Sequence, residues 1–345
     1  MKTIKKTPLI SVITPVYNGG YAFVSCLLAM SQTEFKDWEL IVVDDGCTDE
    51  SIAIAEKFGA KILKTSGREG PGSARNLGAK EAKGKYLCFI DADCEVEVSA
   101  ISNLAKILQS KTKIDALFGS YDDAPKAVNF VAQYKNLMHH YTHQRGNGEA
   151  STFWAGFGVV KRDVFLEVGG FDVERYPRPS IEDIDLGYRL KEAGYKIYLA
   201  KDLQVKHHKA WQLFGLIKTD VFDRGIPWTK LLLSNKSNRI NDLNLDTSNR
   251  ISVIATYSLI FCLLISLFNS MAVVPVLILS GLLLYINRGV YRFFYHKRGL
   301  LFAVKVVPVH LLYYFYGGLA FALGTLSHWK DSLLKINNAP SLASR

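Results

Sequence analysis

The sequence predicts an α/β region with a doubly wound, mostly parallel sheet, followed by amphipathic interfacial helices and an α-helical transmembrane region. Short apolar segments typical of buried strands alternate with helical segments as far as His208, which favours a parallel sheet with helices on both faces. Charged residues are frequent up to about Arg250, and long apolar runs follow. We therefore expect an α/β domain at residues 1–210, an amphipathic segment and linker at 211–250, a transmembrane region of two or three helices at 251–330, and a tail at 331–345.

The charge and cysteine pattern of the chain indicate which kinds of binding partner and cellular environment to expect. The chain has 345 residues and a formal net charge of +10. We expect no nucleic-acid partner, because the basic residues cluster beside the apolar runs, as they do at the cytoplasmic face of a membrane. The five cysteines show no Cys-x-x-Cys pair or zinc spacing, which indicates a reduced, cytosolic environment. The apolar stretch after the first lysines is short and contains Pro15, so we expect a strand there and not a signal peptide.

The elements of the amino-terminal part follow from hydrophobic periodicity and from turn residues. Apolar, β-branched runs predict strands, and apolar residues three and four positions apart predict helices. Thr48 is expected to cap the second helix. The predicted strands are Leu9–Thr14, Glu39–Val43, Lys61–Lys64 and Tyr86–Ile90, and the helices are Tyr21–Gln32, one from Thr48 to about Gly59, and Ser73–Lys83.

Four predicted strands are followed directly by unusual residues, which are Pro15–Asn18, Asp44–Asp45, the glycine-rich loop 67–72, and Asp91 with Asp93. In a parallel sheet these segments share one edge, where ligands of open α/β sheets bind. Asp91-Ala92-Asp93 is a candidate Mg²⁺ or Mn²⁺ clamp, with a bound diphosphate completing the ligands. The helix after the loop offers its amino terminus and Arg75 to that diphosphate. Each segment alone is also an ordinary turn, but the four together indicate a nucleotide-diphosphate site.

Four segments resemble, in order, the motif series of inverting family 2 glycosyltransferases with the GT-A fold. The resemblance extends over roughly Leu9–His208, and Cys47 stands where the family commonly has serine. Neither a Gly-x-Gly-x-x-Gly nor a Walker lysine motif is present, so the sequence does not indicate a dinucleotide fold or a P-loop ATPase. The four segments are Ile10–Asn18, Val42–Asp49, Gly72–Gly78 and Ile90–Asp93.

The resemblance implies a donor that is a UDP- or GDP-linked sugar. By this resemblance, Pro15, Tyr17 and Asp45 hold the nucleotide base. Asp91 lies on the ribose side, and Asp93 binds the metal that bridges the diphosphate. The remaining donor-binding residues expected in this region are Asn18, Gly72 and Arg75.

The next part of the chain carries two candidate bases. Ser180 and Asp183 fit the pattern of a capping box, and three acids suit the first turn of a helix, so a purely structural role remains open. A carboxylate at a helix start can also accept a proton from an acceptor hydroxyl. The resemblance favours this second role, with Asp183 as the base and Glu182 as the second choice. Asp185 is expected to pair with Arg189.

Later residues complete the expected site. Strands are predicted at Ile114–Gly119, Phe153–Val160 and Lys196–Leu199, and a helix at Ala127–Tyr141 whose histidines are expected to pack and not to bind a metal. In many GT-A enzymes a late histidine completes the metal shell, and His207 is the candidate here. Arg224 could reach the diphosphate. The Gln-x-x-Arg-Trp signature of processive synthases is absent, which favours single-sugar transfer.

The carboxyl-terminal part predicts membrane association. Residues 211–233 are amphipathic and lysine-bearing, and we expect them to lie on a bilayer, with a buried helix pair as the alternative. Ile251–Phe268 and Met271–Ile286 are each close in length to the ~20 residues that a transmembrane span requires. The basic loop Asn287–Gly299 is expected inside, and Leu300–Leu326 spans once or bends back.

These features predict a membrane-anchored, multi-pass glycosyltransferase of the inner or plasma membrane, with its catalytic domain in the cytoplasm. It would transfer one sugar, with Mg²⁺ or Mn²⁺, to a hydroxyl of a lipid-linked or membrane-presented glycan in cell-envelope polysaccharide or glycolipid synthesis. One alternative is a polyprenyl-phosphate acceptor, which is already ionised and needs no base. A more remote one is a membrane nucleotidyltransferase, although the first strand lacks the expected basic signature.

Overall fold

A mixed β-sheet forms the centre of the first of two units in the computed structural model, which describes residues 7–110, 114–146, 148–234 and 246–337. The units are Met1–Trp211 and Gln212–Arg345. Most of the predicted polar linker, the last residues of the predicted tail and the first lysines lie outside the described residues.

The first unit contains nine strands and seven helices in its described part. The strands are β1 (Ile10–Val16), β2 (Trp38–Asp44), β3 (Lys61–Lys64), β4 (Tyr86–Ile90), β5 (Cys94–Val96), β6 (Ala116–Tyr121), β7 (Glu149–Ala150), β8 (Phe157–Lys161) and β9 (Ile197–His207). The helices are α1 (Gly20–Ser31), α2 (Ser51–Lys57), α3 (Pro71–Glu81), α4 (Ala100–Ser110), α5 (Phe130–Arg145), α6 (Arg162–Glu167) and α7 (Glu182–Glu192).

The sheet has the strand order β3-β2-β1-β4-β8-β6-β9-β5, with β7 paired to β9. Strands β3, β2, β1 and β4 are mutually parallel, whereas β8 runs antiparallel to both β4 and β6. Every residue of β1 and β4 is buried, as expected for continuous apolar runs covered on both faces. The prediction of a doubly wound, mostly parallel sheet is confirmed.

Three predicted boundaries were wrong. Thr48 does not cap α2, which begins at Ser51; the Thr48 amide instead donates to Asn18 Oδ1 at 2.7 Å. Strand β8 begins at Phe157 and not at Phe153, because pairing with β4 begins there. Strand β9 extends to His207, far beyond Leu199, because its second half pairs with β5.

The second unit is helical wherever the structure describes regular structure in it. It contains α8 (Leu213–Lys218), a π-helical turn (Thr219–Gly225), α9 (Ile226–Ser234), α10 (Thr247–Ser266), a short 3₁₀ turn (Ser270–Ala272), α11 (Val273–Ile286), α12 (Arg288–Arg298) and α13 (Leu300–Asn337). Helices α10 and α13 are each long and apolar enough to cross a membrane. The segment Ser270–Ile286 and α12 would together make a third span, although they are bent by 61°.

Three predictions about the second unit need correction. The basic segment Asn287–Gly299 is not a loop: α12 forms there because Val290 and Phe294, one turn apart, are buried while its cationic side chains remain exposed. Helix α13 contains Pro308 and continues to Asn337, past the expected start of the tail at residue 331. Helix α10 begins at Thr247, within the predicted linker, where Asp246 accepts a hydrogen bond from the Asn249 amide.

Candidate active site

The carboxyl ends of β1, β2 and β4 meet at one edge of the sheet. Val16 is paired with Asp44, and the Asp45 amide donates to the Val16 carbonyl at 2.9 Å. Pro15 is buried in β1 opposite Val43. Tyr17 and Asn18 therefore emerge beside the two aspartates that follow β2, as the parallel arrangement predicted.

Asp45 holds the glycine-rich loop. Its buried carboxylate accepts hydrogen bonds from the amides of Glu69 and Gly70, each at 2.8 Å, and from Thr65 Oγ1 at 3.0 Å. Gly70 has a φ of 93°, which favours glycine, and its conformation turns the chain into α3. These hydrogen bonds attach the loop to the end of β2, so Asp45 stabilises the conformation of the loop backbone.

Tyr17 and Asn18 form the outer wall of this edge. Tyr17 is 42% exposed, and the Arg68 guanidinium lies 4.1 Å from the centre of its ring. Asn18 adopts a left-handed conformation with a φ of 49°, and its side chain is held by the chain segment after β2. An exposed aromatic face next to a cation is suited to a planar, negatively charged ligand such as a nucleotide.

Arg75 connects the acids that follow β4 with those at the start of α7. It is buried in α3, and its guanidinium lies 2.6 Å from Asp91 Oδ1 and 3.4 Å from Glu182 Oε1. Burial opposes its charge, but the two carboxylates outweigh that effect and raise the pKa of Arg75 above its usual value. Gly72 lies one turn earlier, where an added Cβ would come within 3.8 Å of Glu182 Cγ. The sequence placed Arg75 beside a diphosphate, whereas the structure places it between two acids.

Asp93 lies beside His207, as the metal hypothesis required. Antiparallel pairing of β5 with β9 brings His207 Nε2 to 3.4 Å from Asp93 Oδ2. The other ring nitrogen, Nδ1, is 2.6 Å from Asn136 Oδ1, a bond that orients the ring and leaves Nε2 facing the carboxylate. Although burial opposes ionisation, the hydrogen bond and charge of His207 lower the pKa of Asp93. A carboxylate and an oriented imidazole fit a divalent cation.

Cys94 completes this cluster. Its sulfur, one oxygen of Asp93 and one nitrogen of His207 lie within 4.8 Å of one another. The thiol is fully buried, and this burial, together with the two nearby aspartates, raises its pKa well above the usual value. Asp91, the other acid of the predicted clamp, is engaged by Arg75.

The two candidate bases differ sharply in their surroundings. Helix α7 begins at Glu182, and Ile181, at its cap position, makes no side-chain capping bond. Glu182 is buried and accepts from the Ser180 amide at 2.8 Å and from Arg75. Asp183 is half-buried and accepts from the amides of Ala155 and Ile184 at 3.2 and 2.8 Å. The Ser180 amide, which a capping box would pair with Asp183, is thus taken by Glu182.

The surroundings of Asp183 raise the pKa of its carboxyl group. Burial is the main cause that raises its pKa from an ordinary carboxyl value to about 7, and the nearby charge of Glu182 adds to it. The structure shows no ion-pair partner for Asp183 in the part of the chain that it describes. Asp185 instead pairs with Arg189 at 2.7 Å, as predicted, and with Arg175 at 3.4 Å.

Several neighbours were not singled out from the sequence. Asn136 orients His207, and Tyr121 stacks on the His207 ring with centroids 4.5 Å apart. Tyr121 and Asn136 lie in β6 and α5, and nothing local in the sequence marks them as neighbours of β9. The predicted packing role of the histidines in α5 is confirmed for His143, which is buried and whose pKa is lowered to about 4 by that burial. Arg224 lies in the second unit, where it pairs with Asp220 at 3.1 Å.

Comparison with known proteins bears on this site. Residues 11–169 match the family described as Glycosyl transferase family 2. Glycosyltransferase GlyG of Streptococcus pneumoniae serotype 4 is 34% identical over 118 residues, which are 33% of this chain and 39% of GlyG. Glycosyltransferase AglE of Haloferax volcanii is 29% identical over 210 residues, 57% of this chain and 66% of AglE. The matched part thus covers less than two thirds of these relatives.

The fold has a counterpart among solved structures. The mannosyltransferase PcManGT from Pyrobaculum calidifontis, solved in complex with GDP-Man and Mn²⁺, superposes with a TM-score of 0.54 over 95% of this chain and 88% of its own. The sequences are 14% identical, so the likeness is one of fold.

Proposed function

We propose that this chain, which carries a family 2 glycosyltransferase domain of GT-A fold, is a membrane-anchored inverting glycosyltransferase. It moves one sugar from a UDP- or GDP-linked donor to a hydroxyl of a lipid-linked or membrane-presented glycan. The apolar helices α10 and α13 support membrane anchoring by their length and composition. The clustered basic residues of α12 favour a catalytic domain on the cytoplasmic side.

The main observation behind the proposal is that the adjacent acids Glu182 and Asp183 have different surroundings. Arg75 neutralises Glu182, whereas Asp183 has a pKa of about 7 and accepts only backbone amides among the described contacts. A carboxylate with this pKa is ionised in a useful fraction at neutral pH and still basic enough to take a proton. A phosphate acceptor would not need such a group, so Asp183 favours a hydroxyl acceptor.

On the donor side, Tyr17 and Arg68 would cover the base, with Pro15, Asn18 and Asp45 shaping the walls of that site. Gly72 lies at the start of α3, and its lack of a side chain leaves room beside Val173 and Glu182. Arg75 would orient Asp91, which we assign to the ribose side. This arrangement holds the donor through groups that are already ordered by their own hydrogen bonds.

Asp93 and His207 would hold Mg²⁺ or Mn²⁺, with Asp91 close by. When bound, the cation stabilises negative charge on the departing diphosphate. Asp183 would accept the proton of the acceptor hydroxyl as its oxygen bonds to the anomeric carbon. The bond from that carbon to the diphosphate oxygen breaks on the opposite face, so the configuration inverts.

The direct test is donor binding and transfer by the full chain in detergent. A panel of UDP- and GDP-sugars, each with Mn²⁺, Mg²⁺ or a chelator, should give one or a few metal-dependent increases in melting temperature, because ligands stabilise the state that binds them. The selected donor should then support transfer to a glycan hydroxyl. Stabilisation without transfer to any hydroxyl, but with transfer to a polyprenyl phosphate, would identify the alternative acceptor.

Asp93→Asn should remove the metal-dependent part of donor binding. Glu95→Gln is the matched control, because Glu95 lies two residues away but pairs with His208 at 2.7 Å. If calorimetry shows that Asp93→Asn binds Mn²⁺ and nucleotide like the parent, the metal assignment is wrong.

A further inference from the structure

Helix α12 meets α11 at a bend that buried hydrogen bonds hold in place. Asn287 lies at the junction and is buried; its Nδ2 donates to Ser252 Oγ of α10 at 3.1 Å, and the Tyr314 hydroxyl of α13 donates to its Oδ1 at 2.7 Å. The segment Ser270–Ile286 and α12 differ in direction by 61°. Buried polar groups that are fully paired favour one arrangement, so these bonds stabilise the bend.

One face of α12 is packed against α13. Val290 and Phe294 of α12 are buried one turn apart. The Phe294 ring stacks on Phe302 with centroids 5.7 Å apart, and the Tyr291 ring meets His310 edge to face at 5.8 Å. These contacts fix the rotation of α12 about its own axis, and so they decide which side chains point away from the helices of the second unit.

The opposite face of α12 is cationic. The helix contains no Asp or Glu. Among the described residues, Arg288 donates to the Tyr285 carbonyl at 2.8 Å and Arg292 to His296 at 3.3 Å, and neither acceptor carries a negative charge. Four permanent positive charges therefore lie on one short helix that has no acid of its own. The exposed side chains of this face are Arg288, Arg292, Tyr295, His296, Lys297 and Arg298.

Exposed tyrosines accompany these charges. The Arg288 guanidinium lies 4.2 Å from the centre of the exposed Tyr285 ring, and Tyr295 is exposed one turn before the end of α12. Tyrosine, arginine and lysine are typical of the boundary between the hydrocarbon and the headgroups of a bilayer. The apolar run of α11 ends at Ile286, directly before this group, as expected if α12 lies at that boundary.

We propose that the cationic face of α12, formed by Arg288, Arg292, Lys297 and Arg298, binds anionic phospholipid headgroups at the cytoplasmic surface of the membrane. Four or more basic residues beside a transmembrane segment or on an amphipathic helix attract acidic lipids. A guanidinium group also matches two phosphate oxygens with parallel hydrogen bonds. The proposal rests on the proposed function only for the membrane and its cytoplasmic side, and it concerns no residue of the candidate active site.

The test uses the full chain in nanodiscs of phosphatidylcholine mixed with phosphatidylglycerol. Spin-labelled phosphatidylglycerol should show a larger protein-bound fraction in its electron paramagnetic resonance spectrum than spin-labelled phosphatidylcholine. Added salt should reduce the difference, because it screens the attraction between exposed charges. Equal bound fractions of the two lipids around the parent protein overturn the proposal without any variant being needed.

Charge variants assign the selectivity to α12. Arg288→Gln combined with Arg292→Gln should lower the preference for phosphatidylglycerol by roughly 5-fold for each charge removed. Arg288→Lys combined with Arg292→Lys keeps the charges and should keep most of the preference. Lys80→Gln combined with Lys83→Gln is the matched control, because it removes the same charge from exposed lysines of the first unit. A parental preference in the glutamine variant of α12, or an equal loss in the control, would refute the proposal.

The result is separable from the fate of the proposed function. Selectivity for the anionic lipid in a protein that transfers no sugar would leave the lipid-binding face of α12 standing and remove the transferase assignment. Metal-dependent transfer by a protein without this selectivity would do the reverse.

Discussion

Adjacent carboxylates in one helical turn can be given different chemistry by what surrounds them. Glu182 lies between Arg75 and the Ser180 amide, Asp185 lies between two arginines, and Asp183 meets only backbone amides among the described contacts. Burial raises the pKa of Asp183, the charge of Arg75 lowers it only in part, and Asp183 forms no ion pair among the described residues. The environment, and not the residue type, separates a candidate base from structural acids.

Asp183→Asn should lower turnover on a hydroxyl acceptor by roughly 10²–10⁴, the usual contribution of a general base. In the parent, turnover should rise with pH and level off above about 7, where the carboxyl group is ionised. The variant should lose this rise, because asparagine does not titrate. Steady-state rates between pH 5 and 9 measure both effects, and near-parental turnover in the variant would exclude Asp183 as the base.

The same variant has a predicted effect on stability with a definite sign. Because the folded-state pKa is raised, the folded protein holds the proton of Asp183 between about pH 4 and 7, where the unfolded chain has lost it. The contribution of Asp183 to stability is therefore present below its unfolded pKa and lost as the pH rises through about 7. The melting temperature of Asp183→Asn, relative to that of the parent, should thus increase as the pH rises from about 4 to 7.

The Asp185→Asn variant should be less stable than the parent at pH 7, because the substitution leaves Arg189 and Arg175 without the carboxylate they pair with.

Breaking the buried ion pair between Arg75 and Glu182 should destabilise the folded protein. Arg75→Met leaves Glu182 buried without its cation and should reduce the free energy of unfolding of the first unit by about 3–5 kcal/mol. Adding Glu182→Gln should restore part of the loss, since the buried charge is then removed. Urea titration followed by tryptophan fluorescence measures both variants. Lys61→Met, which breaks the exposed pair with Glu81, should change little, and an equally small effect of Arg75→Met would contradict the assignment.

At the scale of elements, the site depends on how closely α3 approaches the sheet. A Cβ at Gly78 would lie 2.5 Å from Ile13 Cγ2 and 3.2 Å from Val43 Cγ2. Glycine therefore allows α3 to contact β1 and β2, and this contact sets the position from which Arg75 reaches Asp91. The resemblance pointed to this segment for donor binding, whereas the packing gives Gly78 a role in the core.

Gly78→Ala should lower the stability of the first unit by about 1–3 kcal/mol, the usual cost of overpacking a core. It should also weaken donor binding, because α3 and Arg75 shift away from the strand ends. Gly215→Ala in α8 is the helical control, since its Cβ would meet nothing within 4 Å. Melting temperature and donor affinity are measured on the Gly78→Ala and Gly215→Ala variants. A Gly78→Ala protein as stable as the control would show that the packing of α3 on the sheet tolerates the added methyl group.

At the scale of the whole molecule, the residues proposed to bind the donor and the long apolar helices fall in different units. Every predicted donor motif except Arg224 lies in Met1–Trp211, and the helices able to cross a membrane lie in Gln212–Arg345. Large exposed apolar residues in the second unit, such as Phe261 and Leu277, are expected where lipid covers a helix. This division fits the proposal that α10 and α13 anchor the protein to the membrane.

A chain shortened to end at Asn249 should remain folded and bind donor but lose transfer to its lipid-linked acceptor. The physical reason is that the strand ends that bind donor are all retained, whereas the apolar surface that could bring a lipid acceptor near is removed. Thermal melting with donor and an assay on acceptor in detergent micelles give the two readouts. Parental activity of the shortened protein on the membrane-bound acceptor would show that the second unit is dispensable for presentation.

The sequence by itself determined the sheet and one edge of the site. Apolar β-branched runs alternate with helices, and parallel pairing necessarily brings the carboxyl ends of β1, β2 and β4 together, so Tyr17, Asp45 and Asp93 could be placed from the order of elements alone. The apolar run Ile251–Phe268 likewise identified α10, whereas Met271–Ile286 is long enough to span only together with the bent helix α12. These inferences succeed because they depend on local pattern and on rules that hold for every parallel sheet.

Only the tertiary structure decided which side chains meet across the site. Arg75 reaches Glu182 over 107 positions of sequence, and Asn136 reaches His207 over 71. The antiparallel pairing of β5 with β9 places Cys94 opposite His207, and the burial of Val290 and Phe294 turns an expected loop into α12. Such contacts arise from the register of distant strands and from the packing of whole helices. Their energies depend on neighbours that the local pattern does not contain, and so the role of Arg75 and the position of Cys94 emerged only when the chain was folded.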